Sequence, residues 1–206
     1  MARVKLSEYR AKKILVDGYN GYCLNFDNFE AELRVIPDGN YVLKVDQGIK
    51  KRGKQGLVAV GVRPDQVSQY LRLWHEKGFD RFILEPVVSH EQNQEKYFSM
   101  ERTRAGIVFS YSEFGGIDVE DNGAAIKTFS EQQVSELSAA SGLALDFLSD
   151  LVKKFNDSHF SFLEVNPLVL NEPRPAFLDA AVLVDSAGEY FVDSWSEEDI
   201  VEPGQK

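Results

Sequence analysis

Two oxygen-bearing residues follow apolar runs late in the chain. Asn166 lies within Phe162-Leu-Glu-Val-Asn166-Pro-Leu-Val-Leu170, and Asp179 follows thirteen residues later in Phe177-Leu-Asp-Ala-Ala181. Apolar runs of this length read as buried strands. Paired as neighbours, two such strands put a neutral amide oxygen beside a charged carboxylate oxygen. Hard oxygen ligands so arranged suit Mg²⁺, which keeps several waters and shares its remaining positions with phosphates. A plainer reading stands beside this one, because Asn-Pro opens turns and an Asp after a strand caps them.

A second cluster carries the opposite charge. Lys44, Lys50, Lys51, Arg52 and Lys54 crowd one stretch together with Gly48, Gly53 and Gly56, in a chain of net charge −10. Glycine lets backbone N–H groups approach an anion closely, and Lys or Arg supplies the charge. The stretch suits a phosphate, or else a solvated hairpin tip, and it lacks the Gly-x4-Gly-Lys-Ser/Thr spacing of a P-loop. Farther on, Arg81-Phe-Ile-Leu-Glu-Pro86 stops at a proline and continues as Val87-Val-Ser-His90. Backbone N–H and C=O groups there can flank an adenine ring and read its edge; otherwise this is simply the end of a strand. Glu95, nine residues after Pro86, is a candidate acceptor for ribose hydroxyls. His75, His90 and His159 have no metal-ligand spacing, and His75 reads as a helix-surface residue. No Gly-x-Ser-x-Gly elbow supports a hydrolase triad.

Elements must hold these residues. Leu6–Leu15 reads as a helix with Ser7 as N-cap, and Asp17-Gly18 stops it. Phe26–Leu33 is a second short helix, and residues 37–40 form a turn. Tyr41–Val45 alternates as a strand and brings Lys44 out among apolar neighbours, and Leu57–Val62 is a second strand beyond the basic loop. Arg63-Pro64-Asp65 starts a helix that runs to about Lys77, and Gly78 ends it. Glu95–Glu101 and Ala105–Ser112 read as consecutive strands of one sheet, and residues 114–118 as a turn. Glu131–Phe155 holds one or two helices interrupted at Gly142. Strands follow at Phe160–Leu170 and Ala176–Leu183, joined through residues 171–175, and another near Tyr190–Val192. This order is an α+β arrangement with two layers or lobes rather than a regular alternating parallel sheet.

Composition sets outer bounds. With 206 residues, 43% hydrophobic and 12% aromatic, the chain can build one large domain or two small lobes around a real core. Its acidity argues against nucleic acid as a partner, since phosphate backbones need a basic surface. Cys23 is the only cysteine, so no disulfide forms within the chain, which fits a reducing cytoplasm. No apolar stretch has signal-peptide or membrane-span length, so no membrane partner is expected. Residues 194–206 are acidic, with Pro203 and Gly204, and read as a tail or linker. There is no internal repeat.

Taken together, five ordered segments resemble the ATP-grasp portion of the NDP-forming acyl-CoA synthetase superfamily. Lys44-Val-Asp-Gln-Gly-Ile-Lys-Lys-Arg-Gly-Lys-Gln-Gly-Leu-Val58 is similar to the phosphate loop of the ATP-citrate lyase and citryl-CoA synthetase branch. Leu84–His90 resembles its adenine hinge, and Leu6–Lys12 resembles the opening helix of the succinyl-CoA synthetase β subunits, the next relatives. Gly115-Gly-Ile-Asp-Val119 and Leu163–Val169 resemble two further motifs. The resemblance implies an ATP-grasp fold of two α/β lobes with the nucleotide between them. Residues 21–85 would form the smaller lobe, and residues 1–20 with 86–193 the larger. It implies that Lys44, Arg52 and Gly53 hold ATP phosphates and that Pro86 and Val88 offer backbone contacts to adenine. Glu95 would bind ribose, and Asn166 and Asp179 would bind Mg²⁺. It assigns no catalytic residue within the chain.

Departures from the family pattern shape the functional expectation. Phe114 stands where the family has Glu directly before Gly-Gly, with Glu113 one place earlier, and Leu183 stands near a family lysine. The histidine that receives the phosphoryl group and the CoA and acid sites belong to another region, so a CoA-ligase domain or subunit is the implied partner, in an oligomer with it. The chain is then an excised domain or separate subunit for acyl-phosphate and thioester formation. The alternatives are a non-catalytic interaction subunit, a succinyl-CoA synthetase-like β subunit, or an ATP-grasp ligase that joins a carboxylate to an amine.

Overall fold

A computed structural model describes residues 3–116, 126–170 and 174–202. Ile117, Asp118 and Val119 of the Gly-Gly motif, residues 171–173 of the strand connection and residues 203–206 of the acidic end lie outside the described residues. The chain divides into two compact units, Met1–Leu15 with Val88–Lys206, and Val16–Val87.

In chain order the first elements are β1 (Arg3–Leu6), α1 (Glu8–Leu15), β2 (Tyr22–Asn25), α2 (Phe29–Leu33), β3 (Tyr41–Val45), β4 (Val58–Val62), α3 (Pro64–His75) and β5 (Arg81–Pro86). They continue with β6 (Glu95–Thr103), β7 (Gly106–Ser112), β8 (Lys127–Ser130), α4 (Val134–Ser141), α5 (Leu145–Asp157), β9 (Phe160–Val169), β10 (Ala176–Phe177), β11 (Ala180–Asp185) and β12 (Ile200–Glu202).

The unit Val16–Val87 is an antiparallel sheet in the order β2-β5-β3-β4. Val67, Leu71 and Trp74 recur at helical spacing along α3 and are buried in one cluster with Leu24, Leu43, Val45, Phe82 and Leu84 from the strands. Pro64 opens α3 at a position where its missing N–H costs nothing. Gly78 has φ +89, the left-handed backbone that a turn after the helix requires.

The larger unit is also antiparallel, ordered β12-β1-β11-β9-β6-β7-β8, with β10 paired to β9. Leu148, Leu151 and Phe155 form the buried stripe of α5. Phe155 meets Phe160 of β9 edge-on, with ring centroids 6.1 Å apart. Gly142 separates α4 from α5 in a left-handed conformation, φ +74.

Several sequence expectations need correction. Leu6 belongs to β1, not to the first helix, which starts at Glu8 after Ser7 Oγ accepts the Arg10 N–H at 3.2 Å. The helix expected over Phe26–Leu33 is confined to Phe29–Leu33. Ala176–Leu183 is not one strand: β10 and β11 both pair with β9, and Leu178-Asp179 bends between them. Tyr190–Val192 is not a strand, because Asp185 accepts the Ala187 N–H at 3.0 Å and the chain coils into a 3-10 turn over Ser186–Phe191.

Residues 194–202, expected to be tail, are packed. Trp195 is buried and donates its indole N–H to the Ser158 carbonyl at 2.9 Å. Asp199 is buried in an ion pair with Arg10 at 2.9 Å, and β12 extends the sheet beyond β1. A run of Glu and Asp hid one indole anchor and one buried carboxylate that has its own cation.

Candidate functional site

In the smaller unit the cations are organised by a strand and a loop. Lys44 does not point out among apolar neighbours. It is 6% exposed, and its Nζ donates to Glu85 Oε2 at 2.8 Å. The Tyr19 hydroxyl donates to the other Glu85 oxygen at 2.8 Å. The antiparallel register sets Lys44 against Ile83 and Val42 against Glu85, so the pair reaches diagonally across β3 and β5. An unpaired charge at that depth would be costly, so each group depends on the other.

The glycine-rich stretch forms a compact turn. Lys51 adopts a left-handed backbone, φ 55, and a single 3-10 turn follows over Arg52–Gln55. The half-buried Arg52 guanidinium donates to the Val45 carbonyl at 2.7 Å, and the Trp74 indole holds the Gly56 carbonyl at 3.0 Å. Lys50, Lys51 and Lys54 are exposed. A Cβ on Gly53 would meet nothing within 4 Å, so packing within the chain does not demand glycine there.

The hinge residues fall at the unit boundary. Pro86 ends β5 opposite Tyr41, and Val87 donates its N–H to the Asn40 carbonyl at 3.0 Å. The Val88 carbonyl is bonded to His90 Nδ1 at 2.8 Å, and His90 Nε2 reaches Glu95 Oε1 at 3.2 Å. A carbonyl and a carboxylate are both acceptors, and a neutral imidazole has one N–H. Only the doubly protonated ring donates to both.

In the larger unit the two expected Mg²⁺ residues are backbone neighbours where β9 faces the bend before β11, and the Asn166 N–H donates to the Asp179 carbonyl at 3.1 Å. Asn166 Oδ1 accepts the Gly116 N–H at 2.6 Å, and its Nδ2 donates to the Gly116 carbonyl at 3.2 Å. Gly115 is required by packing, and Gly116 by its left-handed backbone, φ +71. A Cβ on Gly116 would collide with Glu95 Oε2, and one on Gly115 with the Lys96 backbone. Thus Glu95, Gly116, Asn166 and Asp179 form one connected patch. One amide oxygen with a second lone pair and one carboxylate fit a hard cation that keeps most of its waters. Among the described residues no group of three or more His, Cys, Asp or Glu forms a metal cage, so such a cation would need other oxygens.

Phe114 is 55% exposed, and its neighbour Glu113 is held elsewhere. Glu113 Oε2 accepts from Lys96 at 2.8 Å and Oε1 from Tyr111 at 2.9 Å. Desolvation raises the Glu113 carboxyl, but the bonds from Lys96 and Tyr111 and the Lys96 and Lys127 charges outweigh it and hold it below its ordinary value. Burial, then the Glu113 bond and charge, push the Tyr111 phenol upward. Burial likewise raises the Cys23 thiol, against the pull of Arg81.

The structure therefore collects Glu95, Asn166 and Asp179, and adds residues that sequence reasoning left without a role. Glu85 was legible in principle: a lysine strand-paired into a core needs a carboxylate, and Glu85 is the acidic residue of β5. His90 lay inside the hinge motif but was weighed only as a metal ligand. Tyr19 gave no signal.

Comparison with known proteins fits this architecture. The family model described as "ATP-citrate synthase ATP-grasp domain" matches residues 8–195. ATP-citrate synthase of Mus musculus is 34% identical over 172 residues, covering 72% of this chain and 16% of that protein. ATP-citrate synthase alpha chain protein 2 of Arabidopsis thaliana is 30% identical over 226 residues, covering 92% of this chain and 53% of that protein. The chain thus spans about half or less of the length of these relatives. Among solved structures, ATP citrate lyase from Methanothrix soehngenii in complex with citrate and coenzyme A superposes with a TM-score of 0.76 at 23% identity, covering 98% of this chain and 56% of that one. Ca. Korarchaeum cryptofilum ACD1 in complex with coenzyme A gives a TM-score of 0.64 at 15% identity, covering 88% of this chain and 94% of that one. These two likenesses speak to the fold. On the extent of the family match, the chain belongs to the ATP-citrate synthase ATP-grasp domain family.

Proposed function

We propose that the chain is the Mg²⁺-ATP-binding module of an ATP-citrate lyase-like acyl-CoA ligase, supplying phosphoryl transfer for acyl-phosphate and thioester formation. The observation that carries this reading is the patch in which Asn166 and Asp179 are backbone neighbours and Asn166 grips the Gly116 amide. Bound there, Mg²⁺ would neutralise charge on the transferred phosphoryl group. The chain's own residues position and exclude. Lys44 and Arg52 contribute fixed cations and Gly53 an unobstructed backbone for the phosphates, and Pro86 and Val88 offer backbone groups to the base. Glu95, steadied by His90, accepts the ribose hydroxyls.

The acid and CoA sites and the phosphoryl-accepting histidine belong to a partner domain or subunit, with which the chain assembles. The existence of relatives named as separate alpha chains supports such a division. No helix among the described residues is long and apolar enough to cross a membrane, and the lone cysteine supports a cytoplasmic setting.

Calorimetric titration with Mg²⁺ and a non-hydrolysable ATP analogue, repeated with the GTP analogue, tests the reading. Mg²⁺-dependent binding that favours the ATP analogue is expected. Absence of binding by either at millimolar concentration would turn the reading toward the non-catalytic subunit, which the exposed Phe114 at the family's glutamate position favours.

A further inference from the structure

Two deeply buried charged groups lie outside the patch described above. Lys12 and Glu8 on α1 form an i,i+4 ion pair at 2.7 Å, with side chains 1% and 3% exposed. Helical spacing explains why they meet, but not why a helix against a sheet should bury them. Breaking such a pair leaves an uncompensated charge, whereas replacing both partners with apolar residues is often neutral or stabilising. A pair kept at this depth therefore invites a search for what else its atoms hold.

Lys12 Nζ also donates to the Leu178 carbonyl at 3.0 Å, 166 residues along the chain. Leu178 directly precedes Asp179 in the bend between β10 and β11. The same bend is tied to β9 by the Leu178 N–H on the Pro167 carbonyl at 3.0 Å and by the Asp179 carbonyl on the Asn166 N–H at 3.1 Å. These bonds converge on two residues, and the one from α1 is a charged donor buried away from water. Without the bond from α1 the bend loses a buried charged donor that ties it to a helix outside β9.

We infer that Lys12 is a positioning residue for Asp179: the Glu8–Lys12 pair anchors the Leu178 carbonyl to α1 and thereby fixes the carboxylate beside Asn166. The inference rests on the Mg²⁺ role proposed for Asp179. Glu8 supplies the counter-charge at this depth, and Lys12 transmits the constraint. Groups that orient a metal ligand without touching the metal typically change affinity about 10- to 100-fold when removed.

The test uses the full chain in four forms: wild type, Glu8→Leu/Lys12→Met, Glu8→Gln and Asp179→Asn. Thermal unfolding, hydrogen exchange at the Leu178 amide without ligand, and Mg²⁺ titration in the presence of the ATP analogue are read for each. The double variant is expected to melt near wild type yet exchange the Leu178 amide faster and bind Mg²⁺ roughly 10- to 100-fold more weakly. Glu8→Gln keeps the ammonium and its donation to Leu178, so it is expected to melt lower but to hold Mg²⁺ within about threefold of wild type. A stable double variant with wild-type exchange and wild-type Mg²⁺ affinity overturns the inference and leaves the pair a stability element. Should the double variant fail to fold, a Glu8→Gln protein that loses Mg²⁺ affinity as far as Asp179→Asn does overturns it too. If wild type shows no Mg²⁺-dependent binding, the functional reading fails first and the inference falls with it.

Discussion

The two units anchor their candidate residues by different means. In Val16–Val87 the candidates are cations held by side-chain or carbonyl partners: Lys44 by Glu85, and Arg52 by the Val45 carbonyl. In the larger unit they are oxygen-bearing residues held largely through backbone: Asn166 through Gly116 and Asp179 through the Asn166 N–H. The contrast follows from chemistry. A buried ammonium loses several kcal/mol of hydration and needs a counter-charge (~3–5 kcal/mol if the partner is removed). An amide or a strand-end carboxylate can be aimed by the ladder that carries it. The first arrangement should fail by unfolding, and the second by losing ligand while the fold survives.

The largest effect expected is on stability. Lys44→Met leaves Glu85 buried without its cation and should destabilise the smaller unit by about 3 kcal/mol, with Lys44→Met/Glu85→Leu recovering most of it. Urea unfolding of both variants measures this, and a single variant as stable as wild type would erase the contrast. Asp179→Asn should do the reverse: unfolding within about 0.5 kcal/mol of wild type, with Mg²⁺ dependence of nucleotide binding reduced at least tenfold.

Arg52→Ala falls between, because that side chain serves both the fold and the proposed phosphate contact. It should cost about 1 kcal/mol through the lost Val45 bond and also weaken the ATP analogue. His90→Gln should weaken the analogue only a few-fold.

The smallest effect concerns Glu113. Its carboxyl lies below the ordinary 4.5, so the native state binds its proton less readily than the unfolded chain does. Its stabilisation is therefore complete above the ordinary value and is lost as pH falls through the lowered one. Because the side chain is 56% exposed, solvent screens the pair and the contribution is at most about 0.5 kcal/mol. In Lys96→Met the Glu113 titration followed by NMR should move upward.

Much of this was legible in the sequence where a pattern is local. The strand Tyr41–Val45, the apolar stripe of α3 and the break at Gly142 each depend on near neighbours, and each appears in the structure. What escaped depends on distant partners. Arg3–Leu6 is four residues long and becomes a strand only because Asp185 and Val184 lie opposite Arg3 and Val4. Ile200–Glu202 looked like an acidic tail because its strand character comes from pairing with β1. The depth of Lys44 and Lys12 was hidden for the same reason, since only the fold reveals what packs over each. That Asn166 and Asp179 lie near one another was readable from their apolar runs, whereas the Gly116 bond to Asn166 spans 50 residues and leaves no local trace.

The central claim is that Asn166 and Asp179 hold a divalent cation together with a nucleotide. Water-proton relaxation with Mn²⁺ standing in for Mg²⁺, measured with and without the ATP analogue on wild type and Asp179→Asn, tests it most directly. The account predicts strong enhancement for wild type only when the nucleotide is present, and its loss in the variant. Equal enhancement in both proteins, in a variant that unfolds like wild type, would contradict it.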